Sequence, residues 1–251
     1  MAGAMGLIVA LGFLTALPLP RGDAPRPGAL VRSLAFFPVV GLIVGALVAG
    51  LDRALSPVLP GGVRAALAIG AMLALTRALH LDGLMDCCDG LFGGFTPERR
   101  LAIMRDSHVG AFGVLGGVVA LLLRYSALAA LDDPWRLMGL LLPPTMGRWA
   151  MVLAIVAYPY GRAAGLGAAF AGAGWRQVVL ATVAAALLGA GLWWPWGVAA
   201  VPLAALVAAL FARFMLGRLP GLTGDCYGAI NEVVEVVIVL AAVAVQTVLA
   251  A

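Results

Sequence analysis

Long apolar stretches dominate the chain, and they alternate with short segments that hold most of its polar residues. A helix needs about 20 mostly apolar residues to cross roughly 30 Å of hydrocarbon. We predict spans at 4–19, 34–51, 63–81, 109–131, 137–157, 178–194, 198–216 and 230–250. The first is short and ends in Pro18-Leu19-Pro20, so a half-helix or an interfacial segment also fits it. The pattern predicts an all-α, polytopic transmembrane helix bundle of about seven to eight spans.

Composition supports a membrane protein and excludes other classes. Hydrophobic residues make up 63% of the 251 residues and charged residues only 11%, whereas soluble domains are about 25% charged. This excludes a soluble enzyme, a disordered protein and a secreted disulfide scaffold. The net charge is only +4 and no basic run tracks a nucleic-acid backbone, so we expect no nucleic-acid partner. We expect residues 1–251 to form one integral membrane catalytic domain in the lipid bilayer, and whether it forms a homo-oligomer stays open.

Arginine counting gives the orientation, because loops on the cytoplasmic side are enriched in basic residues. With eight spans, one face receives eleven arginines: Arg21, Arg26, Arg32, Arg77, Arg99, Arg100, Arg105, Arg162, Arg176, Arg213 and Arg218. The other face receives four, namely Arg53, Arg64, Arg124 and Arg136. The first face is therefore predicted to be cytoplasmic. Loss of the doubtful first span would move only the N-terminus.

An acidic stripe follows the third predicted span. Asp82, Asp86 and Asp89 are spaced i, i+4, i+7, which places their carboxylates along one side if that span continues as a helix. Such a stripe needs a positive partner or water, and ionisable groups at membrane depth are candidates for function. A solvated helix end paired with nearby arginines is the alternative. We favour Mg²⁺, which takes oxygen ligands from a few carboxylates and substrate phosphates.

A short amphipathic cytoplasmic helix is predicted near 97–106. Thr96 and Pro97 are a helix-start signal. The helix would bury its apolar residues and turn Arg99, Arg100 and Arg105 outward, where they could contact anionic lipid or hold substrate phosphates. Arg105 adjoins Asp106 and Ser107, which favours a place at the site for that arginine.

A second polar cluster opens the last span. It contains Asp225, Asn231, Glu232 and Glu235, and the predicted topology places it on the same face as the acidic stripe. Acids are common in the first turn of a helix, so part of the cluster is structural. Arg148, inside the fifth span, needs an acid or a substrate phosphate as its partner.

Carboxylates with Mg²⁺, neighbouring arginines and a cytoplasmic opening suit phosphoryl-type transfer from a nucleotide-activated diphosphate. One acid remains to accept a proton from the acceptor hydroxyl. A transporter or channel with acids along an ion pathway is the alternative from another class. An enzyme like the CDP-alcohol phosphotransferases, acting on another substrate, is also open, although the full pattern of that family is missing.

Two segments carry a resemblance to a known family: 80–94 (HLDGLMDCCDGLFGG) and 98–113 (ERRLAIMRDSHVGAFG). Supporting segments are 13–20 (FLTALPLP), 37–41 (FPVVG), 147–148 (GR) and 223–235 (TGDCYGAINEVVE). With these segments in order, the chain closely resembles the adenosylcobinamide-GDP ribazoletransferase (cobalamin synthase) family.

The resemblance implies Mg²⁺-dependent transfer of the adenosylcobinamide-phosphate group from adenosylcobinamide-GDP to α-ribazole or its 5′-phosphate, with release of GMP. It also implies residence in the bacterial inner membrane, with the active site facing the cytoplasm. We expect catalytic roles for Asp82, Asp86, Asp106 and Asp225. Substrate binding is expected of His80, Arg99, Arg100, Arg105, Ser107, Arg148 and Asn231. Metal binding is expected of Asp82, Asp86, Asp89, Glu232 and Glu235.

Overall fold

The computed structural model of the chain describes residues 2–18, 28–162 and 165–251. Over these residues the chain forms eleven α-helices, joined mostly by short turns. In chain order they are α1 (Ala2–Leu14), α2 (Ala29–Ser33), α3 (Phe37–Leu55), α4 (Gly61–Thr76), α5 (Leu79–Gly93), α6 (Pro97–Ile103), α7 (Ala111–Ala130), α8 (Trp135–Ala157), α9 (Trp175–Trp193), α10 (Trp196–Leu216) and α11 (Gly224–Ala250). Arg21, Arg26 and the Leu19-Pro20 end of the first predicted span lie outside the described residues.

The predicted all-α membrane bundle is confirmed, with fewer spans than the upper count. Six helices of the described part are long and apolar enough to cross a membrane, counting α2 and α3 together as Ala29–Leu55. The bent pair α4 and α5 raises the number to seven if it forms one span. Helix α1 has only 13 residues, too few to cross the hydrocarbon as a helix. This favours the half-helix interpretation of the first stretch.

The third predicted span, 63–81, is wrong as a continuous helix. The chain bends by 90° between α4 and α5. Arg77 and Ala78 both adopt positive φ, 55° and 51°, a region that non-glycine residues rarely enter. Their amides donate to Ala74 and Leu73, which satisfies carbonyls at the end of α4. The acidic stripe therefore lies on a separate helix, α5, with its own direction.

All four arginines that we assigned to the outer face lie in helices, and two of them are buried. Arg124 is buried within α7, so it does not belong in a count of arginines at the outer face. Arg136 is buried in the first turn of α8, where its Nη2 lies 2.7 Å from Asp52 Oδ1, and Arg64 binds the same carboxylate. This buried cluster joins α3, α4 and α8 at the end of the bundle opposite the acidic helix starts. The assignment of Arg148 to a span interior is confirmed, because it lies within α8.

Helices α8 and α11 occupy the centre of the bundle. Most of α8 is buried, and it packs against α3 on one side and α11 on the other. Leu142 and Met146 of α8 and Ile230 and Ile238 of α11 are among its fully buried side chains. Helix α11 begins six residues before the predicted span, so Asp225 belongs to its first turn. This central pair fixes the place of both polar clusters.

Candidate active site

The acidic helix α5 crosses the start of α11 at very short range. A Cβ atom added to Gly83 would lie 2.7 Å from the backbone oxygen of Asp225, and one added to Gly228 would lie 3.2 Å from backbone atoms of His80. Glycine at both crossing points lets the two backbones approach, as small residues do in membrane helix pairs. The crossing brings Asp82 and Asp86 to the same end of the bundle as Asp225.

A cavity of about 270 Å³ opens where these segments meet. Its wall is formed by the starts of α5 and α11, the last turns of α1 and α8, and the segment between α8 and α9. The lining residues are Phe13, Leu79, His80, Asp82, Gly83, Met151, Tyr160, Arg162, Gly167, Phe170, Gly224, Asp225, Tyr227 and Gly228. Asp86 lies beside this wall, within electrostatic range of Asp82, Asp225 and Arg162. The cavity therefore combines an acidic side with an aromatic side.

Arg162 is a site residue that sequence reasoning used only for orientation. Its Nη1 atom lies 3.0 Å from Asp225 Oδ2, and its side chain is only 10% exposed. The residues before it pair with the turn before α11: Gly161 N–H donates to Leu222 and Leu222 N–H donates to Pro159. The polar segment Pro159-Tyr160-Gly161-Arg162, directly after the fifth span, was the signal available in the sequence.

Asp89, the third member of the acidic stripe, binds the start of a different helix. Its Oδ2 accepts from Gly110 N–H and its Oδ1 from Gly113 N–H, each at 2.7 Å. Both amides belong to the start of α7, whose first N–H groups have no partner within the helix. The stripe is present, but its last carboxylate caps α7 while Asp82 borders the cavity.

Glu232 and Glu235 are held by arginines inside the bundle. Arg124 Nη1 lies 2.8 Å from Glu232 Oε2, and its Nη2 also contacts Glu235. Arg148 Nη1 lies 2.8 Å from Glu235 Oε1, the atom to which Asn231 also donates. Arg148 thus has an acid as its partner. Because two arginines balance two glutamates, this buried network is neutral, and sequence reasoning missed Arg124 as its centre.

The five acids predicted to bind metal are not brought together. In the described parts of the chain, no group of three or more His, Cys, Asp or Glu side chains is arranged to hold a metal ion as it stands. The glutamates face arginines, Asp89 faces α7, and only Asp82 and Asp86 remain near Asp225. His80 lies between the cavity and the glutamate network, and it is buried.

The segment after α5 forms the predicted short helix at the surface. Thr96 caps α6 by accepting from Arg99 N–H at 3.2 Å, as expected. Arg100 turns back instead of outward, since its side chain donates to the backbone oxygens of Gly94 and Arg218. The other predicted residues of this segment lie on the surface, outside the cavity lining: Arg99, Arg105, Asp106 and Ser107.

Asp106 has a local partner in this surface segment. The His108 ring Nδ1 lies 2.6 Å from Asp106 Oδ1, and His108 N–H donates to the same oxygen. These hydrogen bonds hold the pKa of the Asp106 carboxyl below its ordinary value. Because both residues are exposed, the pair orders the turn before α7 and contributes little to stability.

The fold and the cavity define a polytopic membrane protein with a polar site at one end of its bundle, bordered by carboxylates, an arginine and aromatic rings. The chain belongs to the cobalamin-5-phosphate synthase family, whose model matches residues 6–243. The resemblance seen in the sequence is thereby confirmed.

Similar proteins in three bacteria carry the name adenosylcobinamide-GDP ribazoletransferase. The chain is 40% identical to the Desulforamulus reducens protein, over 91% of this chain and 92% of the relative. It is 42% identical to the Desulfitobacterium hafniense protein, over 94% of this chain and 95% of the relative. It is 44% identical to the Syntrophobacter fumaroxidans protein, over 93% of this chain and 96% of the relative. No solved structure matches the chain significantly. A synthase family with relatives named as transferases favours an enzyme over the transporter or channel that the sequence left open.

Proposed function

We propose that this protein is an adenosylcobinamide-GDP ribazoletransferase that performs the final assembly step of cobalamin synthesis. The acceptor is α-ribazole or its 5′-phosphate. Its hydroxyl attacks the phosphorus that stays on the cobinamide, a new P–O bond forms, and the bond to the leaving GMP breaks. The acceptor proton passes to a carboxylate. Family membership and the names of its relatives support this activity.

One structural observation carries the assignment of the site to this cavity. Two acidic segments, about 140 residues apart in sequence, meet where Gly83 of α5 contacts the backbone of Asp225 on α11. Both belong to the motifs that carry the family resemblance. The donor diphosphate would lie beside these carboxylates, and the Arg162 guanidinium is held against Asp225 at 3.0 Å.

The proposed proton acceptor is Asp225. Its Oδ2 is occupied by Arg162 and by the Thr223 hydroxyl, at 3.0 and 3.2 Å. Oδ1 makes no hydrogen bond to the described residues and is available for the acceptor hydroxyl. Arg162 holds the carboxylate in place, and general-base catalysis by a positioned carboxylate of this kind contributes typically 10²–10⁴-fold.

Asp82 and Asp86 suit Mg²⁺ as its protein ligands. They lie one turn apart on α5 and supply hard oxygen donors. Asp86 lies within electrostatic range of Asp82 and Asp225. Two carboxylates are enough, because Mg²⁺ is usually held by one or two carboxylates together with substrate phosphates and water. When bound, Mg²⁺ would neutralise phosphate charge and stabilise the leaving group. The glutamates, engaged by Arg124 and Arg148, are left out of the proposed metal site.

We place the enzyme in the bacterial inner membrane with the cavity facing the cytoplasm. Arg162, Arg176, Arg213 and Arg218 lie in or beside the connections at the cavity end of the bundle. A basic excess of this kind is characteristic of cytoplasmic loops. The nucleotide-activated donor would then reach the cavity from the cytoplasm.

The test is GMP release by the purified protein in lipid nanodiscs. We expect GMP only when adenosylcobinamide-GDP and ribazole or its 5′-phosphate are both present, loss of release after chelation, and recovery on adding Mg²⁺. Absence of GMP with both substrates and Mg²⁺ would refute the proposed activity. A flux assay on the same protein in liposomes tests the transporter alternative.

A further inference from the structure

Unpartnered polar atoms are concentrated around the proposed active-site cavity. Of the seven buried side-chain nitrogen and oxygen atoms that lack a hydrogen-bond partner among the described residues, four belong to cavity-lining residues: His80 Nε2, Tyr160 Oη, Arg162 Nε and Arg162 Nη2. A buried polar atom without a partner loses its hydrogen bonds to water and gains none in return, which is unfavourable. Their concentration at one cavity indicates a polar ligand that supplies the missing partners.

The edge of the Arg162 guanidinium that suits a phosphate is the part that lacks partners. Nη1 is bound to Asp225, while Nε and Nη2, which form the side-on edge of the group, are the two atoms without partners. Two parallel N–H donors in this fork match two oxygens of a phosphate. The side chain is nine-tenths buried, so it is fixed before a ligand arrives.

The other side of the cavity is apolar and aromatic. Phe13 and Phe170 meet edge to face with ring centres 5.3 Å apart, and Met151 of α8 completes the wall. Such a wall suits a ring system with few polar groups at its edge, such as the benzimidazole of ribazole, which has one free ring nitrogen. A guanine would bring donors and acceptors for which these side chains offer no partners.

The size of the cavity also favours the acceptor, which is smaller than the donor. Its volume of about 270 Å³ lies just below the roughly 300–1,000 Å³ of pockets for drug-sized ligands. This is room for one nucleoside and not for a corrinoid carrying a nucleotide. The acceptor therefore fits the cavity better than the donor does.

We propose that this cavity is the acceptor subsite, in which Arg162 and Tyr160 bind the 5′-phosphate of the acceptor and the aromatic wall holds its base. The proposal rests on the proposed function. Arg162 uses Nε and Nη2, and the Tyr160 hydroxyl donates a third hydrogen bond. The same arginine orients Asp225, so phosphate binding and proton acceptance are adjacent. Arg162 then determines specificity for the phosphorylated acceptor.

The experiment compares ribazole and ribazole 5′-phosphate as acceptors for Arg162→Gln, Arg162→Lys and Tyr160→Phe. Arg176→Gln, an exposed arginine in the first turn of α9, is the matched control. Loss of charge-assisted hydrogen bonds should raise the KM for ribazole 5′-phosphate roughly ten- to a hundredfold in Arg162→Gln. The KM for unphosphorylated ribazole should stay near the wild-type value, while kcat falls equally with both acceptors because Asp225 loses the partner that positions it. Arg162→Lys keeps the charge and should fall between, and the control should match wild type.

Equal changes in KM for both acceptors, or a rise in the KM for the donor alone, would overturn the subsite. Calorimetric binding of ribazole 5′-phosphate without donor separates this proposal from the proposed function, because it requires no turnover. Wild-type protein that releases GMP, together with Arg162→Lys protein that is folded and binds as tightly as wild type, would refute the subsite alone. Gel filtration identifies any variant that fails to fold, and Tyr160→Phe then supplies the comparison.

Discussion

Single carboxylates in one motif have different partners. Asp82, Asp86 and Asp89 share one side of α5, but a separation of seven residues is about 10 Å along a helix. Its two ends therefore contact different helices. Asp82 borders the cavity, whereas both oxygens of Asp89 bind amides at the start of α7. Regular spacing therefore predicts the stripe, but it does not predict the partner of each side chain.

We predict that Asp89→Asn weakens the fold and leaves the metal requirement unchanged. The substitution removes a charged acceptor from two backbone amides, which should lower the free energy of unfolding by about 1–3 kcal/mol. The half-maximal Mg²⁺ concentration for GMP release should stay at the wild-type value, while in Asp86→Asn activity itself is lost. Thermal unfolding and an Mg²⁺ titration measure the two effects. A large rise in the Mg²⁺ requirement of Asp89→Asn would make Asp89 a metal ligand after all.

Arg148 and Glu235 are predicted to stabilise the bundle and not to bind substrate. Arg148→Met leaves Glu232 and Glu235 to share Arg124, so the buried network carries one uncompensated negative charge, which should cost about 3–5 kcal/mol. The double variant Arg148→Met/Glu235→Met keeps the Arg124–Glu232 pair balanced and should recover much of that loss. Thermal unfolding in detergent compares the two. A stable Arg148→Met protein with only a raised donor KM would restore the substrate-binding role.

The sequence predicted these residues unequally. Arg148 lies inside a predicted span, so we expected an acid or a phosphate as its partner, and the structure shows Glu235 in that place. Arg124 was counted at the outer face although it lies within the predicted span 109–131, so the network lacked its second cation. Arg162 was counted only for orientation, because nothing in its local sequence reveals contact with a carboxylate more than 60 residues away. Pairings of this kind depend on tertiary packing.

At the scale of helices, the main difference between expectation and structure is the bend between α4 and α5. Hydropathy continued through 63–81 and gave no sign of a break, since neither Arg77 nor Ala78 is a glycine or a proline. The left-handed conformation of these two residues is held by contacts with the end of α4. The ends of α7, α8, α9 and α10 agree with the predicted spans to within a few residues, because long apolar segments determine them.

The contact between α5 and α11 should be sensitive to one added methyl group. A Cβ at position 83 would lie 2.7 Å from a backbone oxygen that cannot move alone, so Gly83→Ala must separate the helices. We expect GMP release to fall roughly tenfold to a hundredfold, because small displacements of reacting groups reduce reaction rates to this extent. Gly70→Ala on α4 meets open space and is the matched control. Equal activities of the two variants would contradict the role of this contact.

At the scale of the whole molecule, the fold brings together segments that are remote in sequence. Topology alone predicted that the acidic stripe and Asp225 share one face. It did not predict that α1, α8 and the described residues between α8 and α9 would supply an aromatic wall, because that requires the packing of Phe13 on Phe170. The buried cluster around Asp52 stabilises the opposite end of the bundle. The molecule thus has one reactive end and one structural end.

The most direct test of the account is GMP release by Asp82→Asn and Asp86→Asn, compared with Asp133→Asn. Asp133 is an exposed acid in the turn before α8, at the structural end of the bundle. We predict that both cavity variants fold and insert normally yet release GMP only at background level, while Asp133→Asn equals wild type. Near-normal turnover by either folded cavity variant would contradict the claim that these carboxylates carry the reaction.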